Sequence, residues 1–397
     1  MEKNQVKAIA FYLPQYHPVP ENDKWWGKGF TEWTNVTKAK PLFPSHYQPH
    51  IPADLGFYDL RLPEVREHQA VLAKEYGIHG FCYYHYWFNG RRILERPVND
   101  ILASGNPDLP FCLCWANENW TRAWSGGTDN VLLNQNYSHE DDLEHIRSLI
   151  PAFSDQRYIR IDGKPLFLVY RTELLPNPVR TAEIWREEAI KQGIGDIYLV
   201  RVESFVNDID PKTIGFDASV EFAPDWHNMG PRLFNNTFLR TLTKIGLFPK
   251  VLIDNTIIDY DTLATTMMRK PQSPYLKFPG VTPCWDNSAR KKNAHVFIHS
   301  TPDKYEEWLA DAIHKANEND TSYPKLVFIN AWNEWAEGNH LEPDQKWGHA
   351  YLQATLNAIN NPDKKRGAIR RTPYPLNVKS YLKHIYNRYI GWRFQHG

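Results

Sequence analysis

The chain has 397 residues, and its 46 Lys and Arg residues balance 46 Asp and Glu residues, so the formal net charge is zero. A balanced charge gives no indication of a nucleic-acid or polyanion binder. Hydrophobic residues make up 42% and charged residues 23%, which is typical of a globular protein and excludes disordered, collagenous and integral-membrane chains.

Eight short apolar runs predict β-strands, and the amphipathic stretches between them predict helices. The predicted strands are 6–13, 78–84, 111–115, 165–170, 197–202, 218–222, 281–285 and 326–331. The clearest helical patterns are 61–76, 139–150, 181–192, 303–317 and 348–359. Alternating strands and helices predict a parallel sheet with right-handed crossovers. We therefore expect one TIM-like (β/α)8 barrel over residues 1–360, with a long insertion, 228–279, before the seventh strand. A doubly wound open sheet is the alternative.

The last 37 residues differ from the rest of the chain in charge. Residues 361–397 hold nine Lys and Arg residues and one Asp, a net charge of 9 − 1 = +8, so the remainder carries −8. Tyr381, Ile385 and Tyr389 repeat at four-residue spacing, which predicts a basic helix with an aromatic face. This tail could contact an anionic membrane or glycan, or pack on the acidic barrel.

The amino terminus and the cysteines indicate a cytoplasmic protein. The apolar run 8–13 is short and ends at Pro14, so it predicts a strand rather than a signal peptide. Four cysteines in a chain of this length do not form a disulfide framework, which favours a reducing compartment. We expect a cytoplasmic location, with the tail allowing contact with the inner membrane.

Aromatic and polar residues cluster after the predicted strands. Aromatic faces, amides and carboxylates at the carboxyl ends of parallel strands are what a carbohydrate site requires. Any single Trp could equally fill the barrel core. The candidate site residues are Tyr12, His17, His85, Trp115, Asn117, Glu118, Asn333, Glu334, Trp335 and Glu337.

Glu334 and Glu337 are the strongest catalytic candidates. Three residues apart on a turn after a strand, they could lie close enough that one is ionised and the other protonated. That is the division a glycosidase needs, although a Glu at the start of a helix can also simply cap backbone amides. Two carboxylates from one turn suit a substrate-assisted mechanism. In a conventional retaining mechanism, Glu118 is the natural partner of Glu334.

Other patterns are weaker. His295 and His299 have the spacing of metal ligands on a helix, but with no third ligand nearby they read as structural histidines. The pairs Asp208/Asp210 and Asp259/Asp261 could mimic the carboxylates that hold a metal and a sugar nucleotide. No glycine-rich nucleotide-binding loop is visible in the sequence.

Several long motifs resemble the WbsX-like proteins of bacterial surface-polysaccharide loci, which were named glycosyltransferases and are related to glycoside hydrolase family 99. The resemblance covers roughly residues 6–360. The motifs that carry it are FYLPQYHP at 11–18, WGKGFTEWTN at 26–35, HYQPH at 46–50, GFCYYHYWF at 80–88 and FCLCWANENWTR at 111–122.

The resemblance implies a (β/α)8 barrel of retaining endo-α-mannosidases and mannanases that need no metal and no cofactor. On the matching motif it implies that Glu334 is the base acting on the sugar 2-hydroxyl, giving a 1,2-anhydro intermediate. Glu337 would be the general acid and then the base. This sequence has Ala336 where the hydrolases carry a His, which leaves the identity of the sugar open.

Three functions follow from these observations. The leading hypothesis is a retaining glycosidase acting on a polysaccharide or lipid-linked glycan. The second is a glycosyltransferase in O-antigen, lipopolysaccharide or capsule assembly, which would bind a sugar nucleotide. The third is a glycan-binding protein without activity, against which the pair Glu334 and Glu337 argues.

Overall fold

The computed structural model describes residues 6–121, 131–318 and 323–363 as an α/β barrel. Its strands form one parallel sheet in which each strand pairs with its neighbour along the chain, and the eighth strand returns to the first. The barrel strands are β1 (Lys7–Tyr12), β2 (Ile78–Phe88), β3 (Phe111–Trp115), β4 (Lys164–Val169), β5 (Tyr198–Glu203), β6 (Ala218–Glu221), β7 (Lys277–Phe278 and Gly280–Val281) and β8 (Leu326–Ile329).

The predicted TIM-like barrel is thus confirmed. Its strands are buried along almost their whole length, which explains why they read as continuous apolar runs rather than alternating ones. Short flanking strands complete the sheet structure: Arg91–Ile93, Trp120–Thr121, Val131–Leu133, Arg160–Ile161, Thr256–Asp259, His295–Ile298, Asn333–Glu334 and Asn339–His340.

Helices surround the barrel and several begin at signals visible in the sequence. Ser138 accepts a hydrogen bond from the Asp141 N–H at the start of one helix, and Asn177 caps another in the same way. The α-helices are α1 (Pro20–Trp26), α2 (Glu32–Lys38), α3 (Pro63–Glu75), α4 (Arg96–Ser104), α5 (His139–Phe153), α6 (Pro178–Lys191), α7 (Thr237–Lys244), α8 (Lys250–Asp254), α9 (Tyr260–Met268), α10 (Pro302–Glu318) and α11 (Ala350–Asn360).

The insertion before β7 contains helices α7, α8 and α9. Its strand Thr256–Asp259 pairs in parallel with His295–Ile298, outside the barrel. A small second core forms here around Phe43, Phe234 and Leu252. Helices α7 and α8 therefore form an extension beside the barrel, whereas α9 packs Tyr260, Leu263 and Met267 into the main barrel core.

The structure corrects two predictions in this region. The seventh strand lies at 277–281 rather than 281–285, because Pro279 lacks an N–H and divides a strand whose sequence reads as a turn. His295 lies on a strand rather than a helix, and His299 follows with φ 64° and contacts Asp259 Oδ2 at 2.7 Å through its Nδ1.

One aspartate of each Asp-x-Asp pair caps a helix. Asp210 caps a 3-10 helix by accepting from the Lys212 N–H, and Asp259 caps α9, so both act on the backbone.

Residues 364–397, which include the predicted basic helix, lie outside the described residues. Within the described ranges, no helix combines the length and apolar character needed to cross a membrane.

Barrel closure depends on Gly280. A Cβ at this position would lie 1.9 Å from the Glu221 carbonyl oxygen, which belongs to backbone and cannot move aside. We expect Gly280→Ala to lower the free energy of unfolding by about 3 kcal/mol or to prevent folding. Gly193→Ala is the control, because its Cβ would meet open space and only its left-handed backbone, φ 80°, costs about 1 kcal/mol. If urea unfolding shows that Gly280→Ala and Gly193→Ala lose the same free energy of unfolding, the argument that barrel closure depends on Gly280 would be refuted.

Candidate active site

A cavity of about 630 Å³ opens at the carboxyl ends of the barrel strands. This is the edge at which barrel enzymes place their catalytic residues, because the loops that follow the strands converge there. Its wall is largely aromatic: Trp26, Phe30, Tyr84, Tyr86, Trp120, Tyr170, Phe205, Phe222, Trp226 and Trp285. Flat apolar rings at this position suit the C–H faces of sugars.

One guanidinium group binds three carboxyl groups in this cavity. Arg290 Nε and Nη2 lie 3.0 and 2.9 Å from Glu32 Oε2. Its Nη1 donates to Glu337 Oε1 at 2.8 Å, and Nη2 lies 3.2 Å from Glu334 Oε2. All four side chains are nearly inaccessible to solvent. The predicted pair Glu334 and Glu337 is therefore brought together, across a single cation.

The backbone after β8 sets the direction of both glutamates. The strand Asn333–Glu334 pairs in antiparallel fashion with Asn339–His340, and a 3-10 turn, Trp335–Glu337, connects them. The turn ends at Gly338 with φ 57°, where a Cβ would lie 2.9 Å from the Asp286 Cβ. The Asp286 N–H in turn donates to the Glu337 carbonyl oxygen at 2.6 Å. The turn is thus held against the loop that carries Arg290.

Burial and charge both alter the acidity of this pair. Burial raises the pKa of Glu334 to about 8, and Arg290 opposes the shift while Glu337 adds to it. Burial also raises the pKa of Glu337, again opposed by Arg290. Although burial disfavours its charge, Arg290 has a raised pKa because of Glu32, Glu337 and Glu334. Two adjacent carboxyl groups whose pKa values are raised in this way titrate as a coupled pair.

Glu118 lines another part of the same cavity. It forms an ion pair with Arg171, which also binds Glu173. Burial raises the pKa of Glu118, and Arg171 counteracts this shift. Glu118 is therefore a fourth acidic group, besides Glu32, Glu334 and Glu337, that a bound ligand could reach.

Comparison with known proteins identifies the family to which this site belongs. The profile of the family described as "Glycosyltransferase WbsX" matches residues 8–355. The chain belongs to the WbsX family. It is also 46% identical over 362 residues to "Uncharacterized protein WxcX" in two strains of Xanthomonas campestris pv. campestris. The match covers 89% of this chain but 50% of those relatives, so the chain spans about half their length.

Solved structures share the barrel fold of this WbsX family member. The GH99 endo-α-mannosidase from Bacteroides thetaiotaomicron superposes with a TM-score of 0.52 at 16% identity, covering 91% of this chain and 98% of that chain. A glycoside hydrolase-like protein gives a TM-score of 0.55 at 14% identity, covering 90% and 95%. At this identity the likeness shows the fold.

Of the predicted site residues, Glu118, Glu334 and Glu337 line the cavity. The other predicted residues lie behind its wall, where they hold the backbone or the core. Asn333 accepts from the Leu13 N–H at 2.7 Å and donates to the Leu13 carbonyl at 3.0 Å, which joins β1 to the turn that carries Glu334 and Glu337. The remaining ones are Tyr12, His17, His85, Trp115, Asn117 and Trp335.

Specific contacts explain these positions in the WbsX barrel. The Tyr12 hydroxyl donates to Gln69 at 2.7 Å within the core. His85 Nε2 and His145 Nε2 lie 3.0 Å apart, and the Trp115 ring contacts the same His145.

Asn117 and Trp335 also have specific hydrogen-bond partners behind the cavity wall. Asn117 binds the backbone of Arg171 through both ends of its amide, at 2.8 Å each. The Trp335 indole donates to Glu342 Oε2 at 2.6 Å. His17 is buried among neighbours that lower its pKa to about 4, chiefly by burial, so its ring is neutral.

Sequence reasoning did not select Arg290 or Glu32 as site residues. Glu32 lies within the motif at 26–35, close to Phe30 and Trp33, and could have been selected by the same criterion as Glu118. Arg290 lies in the loop after β7 with no distinctive neighbours in sequence. Only the fold shows that it meets both glutamates.

Removing the third carboxylate should shift the shared titration. The charge of Glu32 raises the pKa of both Glu334 and Glu337, so Glu32→Gln should lower both pKa values. The measurement is a carboxyl 13C NMR titration of Glu-labelled protein, with Glu334→Gln and Glu337→Gln spectra for assignment. Glu173→Gln, which alters the Arg171 pair instead, should leave these titrations unchanged. An unmoved Glu334 resonance in Glu32→Gln would contradict the coupling.

Proposed function

We propose that this WbsX family member is a retaining glycoside hydrolase that cleaves within a bacterial polysaccharide or lipid-linked glycan through a 1,2-anhydro sugar. The observation that carries the proposal is the pair Glu334 and Glu337, held by Arg290 at an aromatic cavity. The structural neighbour from Bacteroides thetaiotaomicron is an endo-α-mannosidase, which supports internal cleavage. The sugar itself is left open.

In the first step, Glu334 takes the proton of the sugar 2-hydroxyl while that oxygen attacks the anomeric carbon. The glycosidic bond breaks, and Glu337 gives its proton to the leaving oxygen. In the second step, water attacks the anomeric carbon and gives a proton to Glu337. The bond from the anomeric carbon to O2 breaks, and Glu334 returns its proton to O2. Two inversions at the anomeric carbon give overall retention.

Arg290 suits this exchange because each step moves one proton between the two glutamates. The total charge of the cluster is unchanged after each step, so the guanidinium keeps an ionised partner throughout. A buried arginine with a fixed total of neighbouring negative charge needs no reorganisation during the reaction. This property supports Arg290 as the group that stabilises both protonation states.

The empty site and the proposed first step require the proton on different glutamates. The raised pKa of Glu334 favours a proton on Glu334 when the site is empty. The first step needs it on Glu337. A bound sugar supplies the change, because its 2-hydroxyl donates to ionised Glu334 and its glycosidic oxygen accepts from protonated Glu337. Substrate binding would thus activate the pair.

A glycosyltransferase is the second candidate, and the description of the matched family favours it. On the same residues, the hydroxyl of an acceptor sugar would replace water in the second step, with Glu337 again as the base. A sugar nucleotide would then be the donor. The Asp-x-Asp pairs offer little support, since Asp210 and Asp259 cap helices.

The test is product analysis on bacterial surface glycans and α-mannans, with and without a panel of sugar nucleotides. We expect new reducing ends from the wild type without any nucleotide, and a loss of at least about 100-fold in Glu334→Gln and Glu337→Gln. Glu118→Gln is the matched variant in the same cavity. Under the proposed route it should retain turnover, whereas the conventional route with Glu118 as partner of Glu334 would abolish it.

The outcomes separate the candidates. Chain extension that requires a sugar nucleotide would replace the hydrolase with the transferase. If the protein binds glycans but the wild type releases no more product than Glu337→Gln, the result would support the glycan-binding protein. A substrate with hydrogen in place of the 2-hydroxyl should resist cleavage, since the 1,2-anhydro route needs that oxygen.

We also propose that the protein works in the cytoplasm beside the inner membrane, attached by residues 361–397. The support is the charge of +8 in this segment, since each basic residue near an anionic surface contributes about 1 kcal/mol. Deleting residues 361–397 should abolish sedimentation with vesicles containing anionic lipid. Unchanged sedimentation would exclude the tail as the attachment. Vesicles of neutral lipid serve as the control.

A further inference from the structure

A second cavity, of about 500 Å³, lies behind the turn that carries Glu334 and Glu337. It is separate from the aromatic cavity, and Gly338, the last residue of the turn, contributes to its wall. Its polar lining includes His50, His340, Asp344 and Lys346. Neither the proposed reaction nor the motifs that identify the family give these side chains a role.

Three potential metal ligands converge at one point of this wall. His50 Nδ1 lies 2.9 Å from His340 Nε2, and Asp344 Oδ2 lies 3.8 Å from the same nitrogen. All three ligand atoms are within 4.8 Å of one another, and all three residues are buried. Two nitrogens bound to one tetrahedral zinc lie about 3.3 Å apart, so the histidine spacing is close to that of a chelated cation.

The contacts around the cluster set the protonation of these atoms. His340 Nδ1 faces the Glu342 carbonyl oxygen at 2.9 Å, so it carries the proton and donates, which leaves a lone pair on Nε2. A contact of this kind at Nδ1 usually orients a metal-bound histidine. Without a cation, the Nε2 lone pair accepts a hydrogen bond from His50 Nδ1–H, and a bound cation would take the place of that proton. Asp344 Oδ1 accepts from the N–H groups of Lys346 and Trp347 at 3.0 and 2.6 Å, which directs Oδ2 towards His340.

We propose that His50, His340 and Asp344 form a binding site for a divalent transition-metal cation, with Zn²⁺ as the best match. Two imidazole nitrogens and one carboxylate oxygen form a ligand set typical of zinc, and unlike the all-oxygen sets of Ca²⁺ and Mg²⁺. The cavity leaves room for water to complete the coordination. The remaining adjustment is a small movement of Asp344 towards His340.

The charges around the cluster partly offset one another. Lys346 opposes a cation, but its ammonium group lies over the rings of Tyr47 and Trp347, at 4.4 and 4.8 Å from their centres. Asp286 lines the same cavity and binds His46 Nε2 at 2.6 Å. The carboxylates of Asp286 and Asp344 therefore counter the one lysine charge and make a bound cation electrostatically acceptable.

A cation here would reinforce the turn that carries Glu334 and Glu337. The His340 ring stacks on the Trp335 ring, with 3.7 Å between centres, and Trp335 lies between the two catalytic candidates in sequence. His340 also pairs with Asn333 across the antiparallel strands. Fixing His340 to His50, which belongs to a distant loop, would restrain both ends of the turn. The role we assign to the metal is therefore structural.

The experiment uses the full chain, treated with a chelator and then titrated with ZnCl2 by calorimetry, and separately with Co²⁺ by visible absorption. We expect one Zn²⁺ per chain, a rise in melting temperature with zinc, and the absorption bands of Co²⁺ bound to nitrogen ligands. Asp344→Asn should weaken binding at least about tenfold, because the amide keeps the backbone acceptor but loses the ligand oxygen.

Two further variants make the test specific. His50→Phe keeps a ring beside Tyr47 and removes the ligand nitrogen, so it should also lose the metal. His299→Gln alters a histidine in the same cavity that binds Asp259 instead, and should bind zinc like the wild type. Failure of the wild type to bind at micromolar zinc, or equal affinity in Asp344→Asn, would overturn the proposal. Because binding is measured without turnover, this result is independent of the proposed function.

Discussion

The site depends on one buried arginine that three carboxyl groups share. A buried guanidinium without partners is prohibitively unfavourable, and three buried carboxyl groups without a cation would repel one another. Arg290 therefore keeps its charge because Glu32, Glu334 and Glu337 surround it, and it opposes the rise in pKa that burial causes in Glu334 and Glu337. Because they come from three separate segments, the cluster exists only when the first, seventh and eighth strands have met. Assembly of the candidate active site therefore requires these three neighbouring strands to be in place.

A second layer of hydrogen bonds fixes the turn that carries Glu334 and Glu337 from behind. Glu342 accepts from the Trp335 indole at 2.6 Å, from Gln69 at 2.6 Å and from Tyr58 at 2.8 Å. Burial raises the pKa of Glu342 to about 7, while these donors oppose the rise. Tyr16 adds a bond from its hydroxyl to the Asn333 carbonyl, at 2.6 Å. Such a layer holds reacting groups in place before substrate arrives, which is a large part of what enzymes contribute to rate.

The barrel was predictable because its strands are buried on both faces and therefore appear as apolar runs. The seventh strand was misplaced because two short pieces around Pro279 contribute little apolar pattern, and only pairing with neighbours on both sides makes them a strand. Glu334, Glu337 and Glu118 could be found because acidic residues among aromatic ones are costly to bury without a purpose. Arg290 could not, since its contacts span 258 and 47 positions in sequence.

The aromatic candidates show a second limit of what the sequence can predict about the site. Successive residues of a strand point to opposite sides, so an aromatic residue near a strand end can enter the cavity or the packing behind it. Tyr84 and Tyr86 on β2 line the cavity, whereas His85 between them turns away to contact His145. The sequence shows the alternation but not which side faces the barrel axis. A one-residue difference in register reverses every assignment on the strand, and that register is set by pairing with neighbouring strands.

In the proposed mechanism, hydrolysis and transfer differ only in the second half of the reaction. Both outcomes would use Glu334 and Glu337 in the same roles until the leaving group departs. They differ in whether water or an acceptor hydroxyl then reaches the anomeric carbon beside Glu337. The cavity, at about 630 Å³, is large enough for more than one sugar ring, and rings such as Trp226 and Trp285 form part of its wall. In the proposed mechanism, the molecule that occupies the space beside Glu337 would decide between hydrolysis and transfer, because the proton exchange across Arg290 would be the same for water and for an acceptor hydroxyl.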